Sequence, residues 1–359
     1  MASRILVPLD GSLEAEQAFP IAAQLARYRA GTVILVHISQ QERAADMGEL
    51  GQLGKGISRR AVSRWREEHM DVYAHANSAA GYLAHAVAHA ALANIRTETA
   101  VYTGPRLRMI LAATRAAEAD MIVISERAAP PADGALSGRL ARQVSAAADV
   151  PVLVVRRDQT LRSVVGDARL RPLRAVVGLD GSPHAEAQLA VAARVVGALA
   201  EPGLGALHLV HVARCGDDVV DAEAYLSAVA HDLRRQMLDE HALLLTWSVV
   251  QAADPAAALV ALADRTRRDA GVESSIDAIY GPGRSGEIAA DAFDGADLLV
   301  IADHSASTLR WRESSGTLAR MLAQTRQPVL VVREPRVREE RTVRVMPASD
   351  ALEYYPRPV

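Results

Sequence analysis

The sequence predicts an α/β protein built from two tandem, doubly wound, five-stranded parallel sheets, and three observations support this. Its 359 residues exceed the size at which a single core usually stops growing. Short apolar runs rich in β-branched residues alternate with stretches that have helical spacing. Four segments recur in the same order, offset by 170 residues at the first (Arg4 to Arg174) and by 178 at the third (Ala100 to Ala278).

The repeated segments contain most of the strands expected in each half. In the first half they include the runs ILVPL, VILV, MIVI and VLVV, which are typical of strands covered on both faces. The third strand is predicted in the weaker segment 97–102, and in 275–280 of the second half. Helical spacing over 14–29, 109–119 and 138–148 completes a series of right-handed βαβ units.

The domain boundaries are predicted from the ends of the repeats. The first domain is expected to span residues 1–157 and the second 172–334. Residues 158–171 between them have no strong hydrophobic period and are interpreted as a linker. The C-terminal tail, 335–359, is rich in proline and mixed charge and is expected to be irregular.

Composition excludes several classes of function. A net charge of −3 and 4% aromatic residues argue against a nucleic-acid surface, which needs a basic field and stacking platforms. The single cysteine, Cys215, allows no intrachain disulfide and fits a reducing compartment. An aspartate at position 10 leaves no room for a signal peptide, and no long apolar window predicts a membrane span. A cytoplasmic protein without a nucleic-acid or membrane partner is expected.

The sequence contains none of the usual motifs of a catalytic centre. It has no nucleophile elbow, Walker loop, paired-cysteine motif or zinc-protease motif, so we expect no enzymatic activity and no catalytic residues. His85 and His89 have a spacing that can bind zinc on a helix, but no acidic or cysteine ligand lies nearby, and no metal is predicted. His37 and His211 end equivalent strands and are interpreted as hydrogen-bonded there.

The phrase Leu-Asp-Gly-Ser follows the first strand of each half. Asp10 and Asp180 are expected to cap the next helix by accepting hydrogen bonds from its free N–H groups. Ser12 and Ser182 can act in the same way, and Pro183 suits a first helical position. Capping is compatible with ligand contact, because both use the carboxyl end of a central strand.

The order of these segments resembles the universal stress protein family. The first half carries ILVPLDGS, ILVHIS, ADMIVIS and PVLVV, and the second carries VVGLDGS, LVHVA, ADLLVIA, SSGTLAR and PVLVV. The two sets cover nearly the whole chain apart from the linker and the tail. The chain is therefore identified as similar to a tandem, two-domain member of that family.

The resemblance implies a Rossmann-like fold of the adenine nucleotide alpha hydrolase type. Family members commonly dimerise through their last strands, which here would pair within one chain as an intrachain pseudo-dimer, with further homo-oligomers left open. Pairing would also cover a VLVV strand that is an aggregation hazard at an open sheet edge. Many members bind ATP through the aspartate after the first strand and a glycine loop after the fourth. The implied binding residues are Asp180, Val212, Ser305, Gly316 and Thr317 in the second half and Asp10, Gly138 and Arg139 in the first.

The first-half loop departs from the family pattern of G-x-x-G followed by G-[S/T]. Ser125 and Ala128 stand at the first two glycine positions, and Gly138 is followed by Arg139. Pro130 and Pro131 remove two N–H groups that could hold phosphate. The backbone cradle of this half is expected to be dismantled.

The second-half loop keeps more of the pattern. Its first two glycines are also replaced, and Asp303 disfavours an anion, but Gly316-Thr317 remains, and Thr317 is expected to open a helix whose N-terminus attracts phosphate. Ser305 and other hydroxyl residues lie in the loop. ATP or another adenine nucleotide is therefore expected at this half in preference to the first.

The primary hypothesis is a stress-response binding or regulatory module with at most one nucleotide site. Two alternatives stay open. One is a nucleotide-hydrolysing or adenylate-using α/β enzyme, which would need residues that hold Mg²⁺-triphosphate. The other is a structural scaffold without a working ligand site.

Overall fold

The structure is a computed structural model that describes residues 3–39, 79–126, 139–156, 173–214, 218–235, 243–264, 286–287, 295–303 and 314–333. The predicted linker, 158–171, and the predicted tail, 335–359, lie outside the described residues.

The first half follows the predicted alternation of strands and helices. Its strands are β1 (Arg4–Leu9), β2 (Thr32–Ser39), β3 (Arg96–Thr103), β4 (Met121–Glu126) and β5 (Val152–Arg156). Its helices are α1 (Leu13–Glu16), α2 (Phe19–Tyr28), α3 (Ala79–Val87), α4 (Arg106–Ala116) and α5 (Arg139–Ala147), with a 3₁₀ turn at Ala90–Leu92.

One predicted helix is divided. The segment 14–29 forms α1 and α2, separated by a turn at Gln17 and Ala18. Pro20 has no N–H to donate to the carbonyl of Glu16, four residues earlier, so a continuous hydrogen-bond ladder cannot pass this point. Pro20 instead occupies the first turn of α2, where a missing N–H costs nothing.

The second half repeats the order with one addition. Its strands are β6 (Leu173–Leu179), β7 (Gly205–Ala213), β8 (Leu243–Gln251), the two-residue β9 (Gly286–Glu287), β10 (Leu298–Asp303) and β11 (Val329–Arg333). Its helices are α6 (Pro183–Leu199), α7 (Val219–Leu233), α8 (Pro255–Ala263) and α9 (Ser314–Gln324).

The two halves share one continuous sheet. The strand order is β3-β2-β1-β4-β5-β11-β10-β6-β7-β8-β9, and every pairing is parallel except the central one. At the centre β5 and β11 run antiparallel, with Leu330 opposite Leu153. The predicted fold is confirmed: each half is a parallel, doubly wound sheet, and the halves pair through their last strands.

The third strand of the second half was predicted wrongly. The strand beside β7 is Leu243–Gln251, and not 275–280, which lies outside the described residues. The segment 275–280 resembles the sequence around β3, and this resemblance alone predicts a strand there. However, Leu243–Gln251 combines buried and part-exposed residues and carries Trp247 and two adjacent valines, which suit a strand near the sheet edge.

Helices cover both faces of the sheet. The helices α1, α2, α3, α6 and α7 pack with β-strand residues such as Val7 and Val177 in one apolar layer. The helices α4, α5, α8 and α9 form the other layer, with Leu6 and Val176. The halves also meet outside the sheet, because α2 packs on α6 and α5 packs on α9. This three-layer arrangement leaves the strand ends as the exposed sites for ligands.

A buried polar cluster interrupts the second-half sheet. His208 of β7 is 2% exposed; its Nδ1 lies 2.8 Å from the Thr246 hydroxyl and its Nε2 3.0 Å from the Ser248 hydroxyl. Burial, and secondarily the charge of Arg174, lowers the pKa of His208 to about 3. The ring is therefore neutral at physiological pH, and both of its nitrogens have a hydroxyl partner.

A membrane-spanning role finds no support in the helices that the structure describes, since none of them is both long and apolar enough to cross a bilayer.

Candidate functional site

Each half has a crevice where two neighbouring strands stop pairing. The strands β1 and β4 pair only as far as Leu6 and Ile122, and β6 and β10 pair as far as Val177 and Val300. In both halves the direction in which successive strands are added reverses at this point. Ligands of doubly wound sheets bind outside the carboxyl ends of the strands at such a reversal. The candidate sites are therefore the crevices that open beyond these pairs.

An Asp-Gly-Ser corner forms one side of each crevice. In the first half an Asp10 carboxylate oxygen accepts from the Ser12 N–H at 3.1 Å and from its hydroxyl at 2.6 Å. The Ser12 hydroxyl in turn accepts from the Ala15 N–H, so the serine caps α1. Gly11 between them has a φ of +86°, which a side chain would disfavour.

The second corner repeats this geometry. Asp180 accepts from the Ser182 N–H at 3.0 Å and from its hydroxyl at 2.6 Å, and Ser182 caps α6 through Ala185. Pro183 occupies the predicted first helical position. Capping by the two serines is confirmed. Contrary to the prediction, the aspartates do not cap the helices directly. Their carboxylates accept hydrogen bonds from the serines, and the serine hydroxyls accept from the first turns of the helices.

The two aspartates have different neighbours across the crevice. Asp10 forms an ion pair with Arg106, the first residue of α4, at 3.3 Å. The matching helix of the second half, α8, begins with Pro255 and is capped by Asp254, which pairs with Arg320 of α9 at 2.7 Å. An arginine therefore contacts the aspartate of the first corner, whereas the corresponding helix of the second half begins with a proline that follows a capping aspartate.

A histidine and a tyrosine lie beside each corner. The His37 ring is 5.2 Å from the Tyr82 ring, and the His211 ring is 5.9 Å from the Tyr225 ring. The Nδ1 of His211 lies 3.0 Å from the Leu179 carbonyl, so the predicted hydrogen bond at the strand end is present in the second half. The Nδ1 of His37 is buried without a hydrogen-bond partner in the described part of the chain.

Burial shifts the pKa of His37 in the first half and of Tyr225 in the second. Burial lowers the pKa of His37, and the nearby Asp10 carboxylate partly opposes this. Burial, together with the carboxylates of Glu186 and Asp180, raises the pKa of Tyr225 well above its usual range. The tyrosine is therefore a neutral phenol at the edge of the second corner.

The predicted phosphate-binding residues are only partly described. Gly316 and Thr317 lie in the first turn of α9, which begins at Ser314, so Thr317 does not open the helix as predicted. The backbone N–H of Gly316 still belongs to the first turn, whose N–H groups lack intrahelical acceptors, whereas the N–H of Thr317 is the first that donates within the helix. Ser305 lies outside the described residues.

Val212, another predicted binding residue, lies near the carboxyl end of β7 in the second half. It follows His211 in β7 and packs against the apolar layer that contains α8 and α9. Asp180 at the tip of β6, Val212 and the start of α9 are thus brought to the carboxyl edge of one half-sheet.

The first-half residues are less well grouped. Arg139 is the first residue of α5 and is exposed, and Gly138 lies outside the described residues. Ser125, at the first glycine position of the loop, is the penultimate residue of β4, and its hydroxyl is buried without a hydrogen-bond partner among the described residues.

Asp303 and Arg333 form a buried pair next to the second crevice. Their side chains are 3% and 7% exposed, and Arg333 Nε lies 3.8 Å from the Asp303 carboxylate. Arg333 also donates to the carbonyl of Ala146 at the end of α5, and so links the two halves. From the sequence alone Asp303 counted against an anion, but the guanidinium offsets its charge.

Four residues at these edges, Arg106, Tyr82, Tyr225 and Arg333, were not predicted from the sequence. The position of Arg106 soon after the third strand could have predicted that it lies at this edge. No sequence pattern predicts the two tyrosines, which lie 45 and 14 residues after the histidines that they contact. Only the fold brings each to its partner.

The two histidines considered for zinc do not share a helical face. His85 lies in α3, but His89 lies beyond its end, where its Nδ1 accepts from the Ala91 N–H and caps the 3₁₀ turn. Within the described residues no group of three or more histidine, cysteine or acidic side chains could hold a metal ion.

Comparison with known proteins places the chain in a family. The model of the universal stress protein family matches residues 1–156 and again 173–333. The chain therefore belongs to the universal stress protein family and carries two of its domains in tandem. A sequence search of curated proteins gave no significant match.

A solved structure shares this fold along nearly the whole chain. A universal stress protein from Archaeoglobus fulgidus is 16% identical, with a TM-score of 0.55, over 93% of this chain and 99% of its own. A protein from Pseudomonas aeruginosa, described as a putative universal stress protein, is 14% identical, with a TM-score of 0.48, over 92% and 93%. A universal stress protein solved with cAMP is 20% identical over 46% of this chain and 98% of its own, with a TM-score of 0.29. At 16% identity the likeness to the Archaeoglobus fulgidus protein concerns the fold alone.

Proposed function

We propose that this chain is a cytoplasmic stress-response regulatory protein that binds one adenine nucleotide, such as ATP, in its second half. In this proposal it is a binding protein and not an enzyme. The observation that carries it is the crevice beyond Val177 and Val300, which has Asp180 on one side and the first turn of α9 on the other.

The groups on the two sides of this crevice suit the two ends of a nucleotide. Asp180 offers a carboxylate oxygen to ribose hydroxyls, which are hydrogen-bond donors. The first turn of α9 offers a positive dipole end and free N–H groups, including that of Gly316, to phosphate, and Thr317 follows directly in the same helix. Val212, on the face of the sheet that α9 covers, provides apolar contact for the base.

Charge also favours the second half over the first. Arg333 offsets the Asp303 carboxylate beside the second crevice. In the first half Arg106 already contacts Asp10, and the loop after β4 carries Pro130 and Pro131 where N–H donors are needed. We therefore propose that the first half takes no nucleoside triphosphate.

The duplicated corner supplies a matched pair of variants. Asp180→Ala and Asp10→Ala each remove the acceptor for one serine, with nearly the same hydrogen-bond lengths, and Asp10→Ala also removes the ion pair with Arg106. We expect Asp180→Ala to weaken ATP binding at least about tenfold, since a charge-assisted hydrogen bond is lost. Asp10→Ala should leave ATP affinity unchanged.

The measurement has two parts. Protein purified under native conditions is denatured and assayed for released adenine nucleotide, and apo protein is titrated by calorimetry with ATP, AMP, cAMP and GTP. Absence of both carried and titrated nucleotide would favour the scaffold alternative. Equal losses in Asp180→Ala and Asp10→Ala would contradict the choice of half. Turnover of Mg²⁺-ATP that Thr317→Val abolishes would favour the enzyme alternative.

A further inference from the structure

The strand β3 ends the sheet in the first half, and its outer edge is open. Among the residues that the structure describes, β3 has β2 on one side and no strand on the other. Thr99, Val101 and Thr103 are exposed, and the Val101 side chain is 48% exposed. An open edge presents unpaired N–H and C=O groups to any strand that reaches it.

The corresponding edge of the second half is covered by the chain itself. There β9 pairs with Thr246 and Trp247 of β8 and lies in the long segment between α8 and β10, residues 264–297. The first half has only residues 117–120 between α4 and β4, which are needed to connect the two elements. A strand that pairs with the open edge of β3 therefore has to come from another part of the chain or from another molecule.

The sequence of β3 does little to protect this edge. Edge strands of soluble proteins are usually blunted by proline, a bulge or charged side chains. The strand β3 pairs with β2 without a break, and its charged residues, Arg96 and Glu98, lie at its beginning. Residues 99–103 have neither charge nor proline and consist mostly of residue types that favour strands. This part of the edge is suited to pairing with a further strand.

The backbone hydrogen bonds to β2 define which residues of β3 face outward. The N–H of Gly104, directly after the strand, donates to the Ser39 carbonyl of β2 at 3.1 Å. Because successive residues of a strand direct their backbone groups to opposite sides, the even-numbered residues of β3 face β2. The outward N–H and C=O groups therefore belong to Thr97, Thr99, Val101 and Thr103.

These outward-facing residues are arranged symmetrically about Ala100. When a second β3 strand lies antiparallel, with Ala100 opposite its own copy, Thr97 lies opposite Thr103 and Thr99 lies opposite Val101. Each outward-facing residue then has a partner with which it exchanges two backbone hydrogen bonds. A shift of two residues in either direction leaves one outward-facing residue of each chain unpaired. The register centred on Ala100 is therefore the most favourable.

The side chains on the other face also fit this register. Ala100 meets its own copy at a position without hydrogen bonds, where the two Cα atoms lie only about 4.5 Å apart and a small side chain fits. Arg96 lies opposite Gly104, and Glu98 lies opposite Tyr102 of the second copy. No like charges are directly opposed in this pairing, so it avoids the repulsion that destabilises many strand pairs.

We propose that two copies of this chain form a two-fold symmetric dimer through antiparallel pairing of their β3 strands, centred on Ala100. A second copy is the partner because the backbone and side-chain pattern of β3 is complementary to itself. The pairing is isologous and occupies the edge of both chains, so association through it stops at the dimer. The dimer does not depend on nucleotide binding in the second half.

The test is analytical ultracentrifugation of the full chain, without nucleotide, over a range of protein concentrations. We expect a reversible monomer–dimer equilibrium. Val101→Pro removes an outward N–H that the ladder to β2 does not use, and it should weaken the dimer at least about tenfold, because two symmetry-related hydrogen bonds are lost. Val101→Lys should also weaken it, since a lysine blunts a strand edge. Val101→Thr keeps a β-branched side chain and should leave the dimer unchanged.

Cysteine cross-linking tests the register. In a Cys215→Ala background, which has no other cysteine, Ala100→Cys places two thiols directly opposite each other at a Cα separation that allows a disulfide. In Val101→Cys the thiols lie diagonally, because position 101 lies opposite position 99. We expect oxidation to link Ala100→Cys in preference to Val101→Cys. Random collision would give the reverse order, since position 101 is the more exposed, and that order overturns the register.

Further outcomes separate this proposal from its alternatives. A chain that is monomeric at every concentration overturns it, and protection of the Val101 and Thr103 amides from hydrogen exchange in that monomer would show that the chain covers its own edge. A dimer of unchanged strength in Val101→Pro and Val101→Lys, both folded by circular dichroism, places the interface elsewhere. ATP affinity should be the same in Val101→Pro as in the unaltered chain, so failure of the nucleotide proposal leaves the dimer result intact.

Discussion

Single residues distinguish the two corners more than their shared sequence does. Both carry Leu-Asp-Gly-Ser, and the Asp-to-Ser hydrogen bonds differ by no more than 0.1 Å. Arg106 and Ser125 add polar groups near the first corner, while Pro255 and Ala302 make the corresponding positions of the second half apolar. Because neither position lies within the repeated phrase, the difference depends on residues that the fold brings to it.

The buried side chain of His208 makes the free energy of unfolding depend on pH. Its pKa is about 3 in the folded chain, against 6.5 for an ordinary histidine, so below pH 6.5 the unfolded chain takes up a proton that the folded chain does not. The free energy of unfolding should therefore fall by up to about 1.4 kcal/mol per pH unit from 6.5 towards 3 from this group.

The measurement is urea unfolding between pH 7 and pH 4, compared with a variant that lacks the cluster. Ile34 of β2 is the residue that corresponds to His208, so the combination His208→Ile, Thr246→Val and Ser248→Ala copies an apolar sheet. The variant should lose less stability on acidification than the unaltered chain. Parallel pH profiles for the two proteins would contradict the assigned role.

At the scale of elements, the helix starts were the easiest features to predict. Serine after Asp-Gly is a local capping signal, and Ser12 and Ser182 both use it. The third strand of the second half was missed for the opposite reason. Pairing of Leu243–Gln251 with β7 is a non-local choice, and the internal repeat predicted 275–280 because that segment resembles the sequence around β3.

Removal of the N-terminal cap of α6, the longer of the two serine-capped helices, tests how much such a cap stabilises the fold. Ser182→Ala removes the acceptor for the Ala185 N–H and the hydroxyl that donates to Asp180. We expect a loss of about 1 kcal/mol in the free energy of unfolding, measured with urea. Ser182→Asn, which supplies another good capping group, should recover most of it. A loss in Ser182→Asn as large as in Ser182→Ala would mean that the side-chain volume matters and the cap does not.

For the whole molecule, the central antiparallel pair makes one folded unit of two domains. Leu153 and Leu330 face each other across β5 and β11, and both are fully buried. The helices α2 and α6 join the halves over one face of the sheet. Neither half can therefore lose its last strand without exposing the edge and apolar surface of the other.

Calorimetry of Leu330→Ala tests this unity. Burial of leucine at the centre predicts a loss of about 2–5 kcal/mol. Since the sheet is shared, we expect one unfolding transition in the unaltered chain and one, at lower temperature, in the variant. Two transitions, of which only one moves, would show that the halves unfold independently. Val87→Ala, at a side chain that is 39% exposed, serves as the surface control.

The sequence by itself determined the duplication, the parallel strands and the serine-capped corners, because these depend on local patterns of apolar, β-branched and capping residues. Tertiary structure alone decided which strand lies beside β7, that Arg106 reaches Asp10, and that Tyr82 and Tyr225 meet their histidines. These contacts join residues far apart in the chain, and their free energy depends on packing that no local pattern encodes.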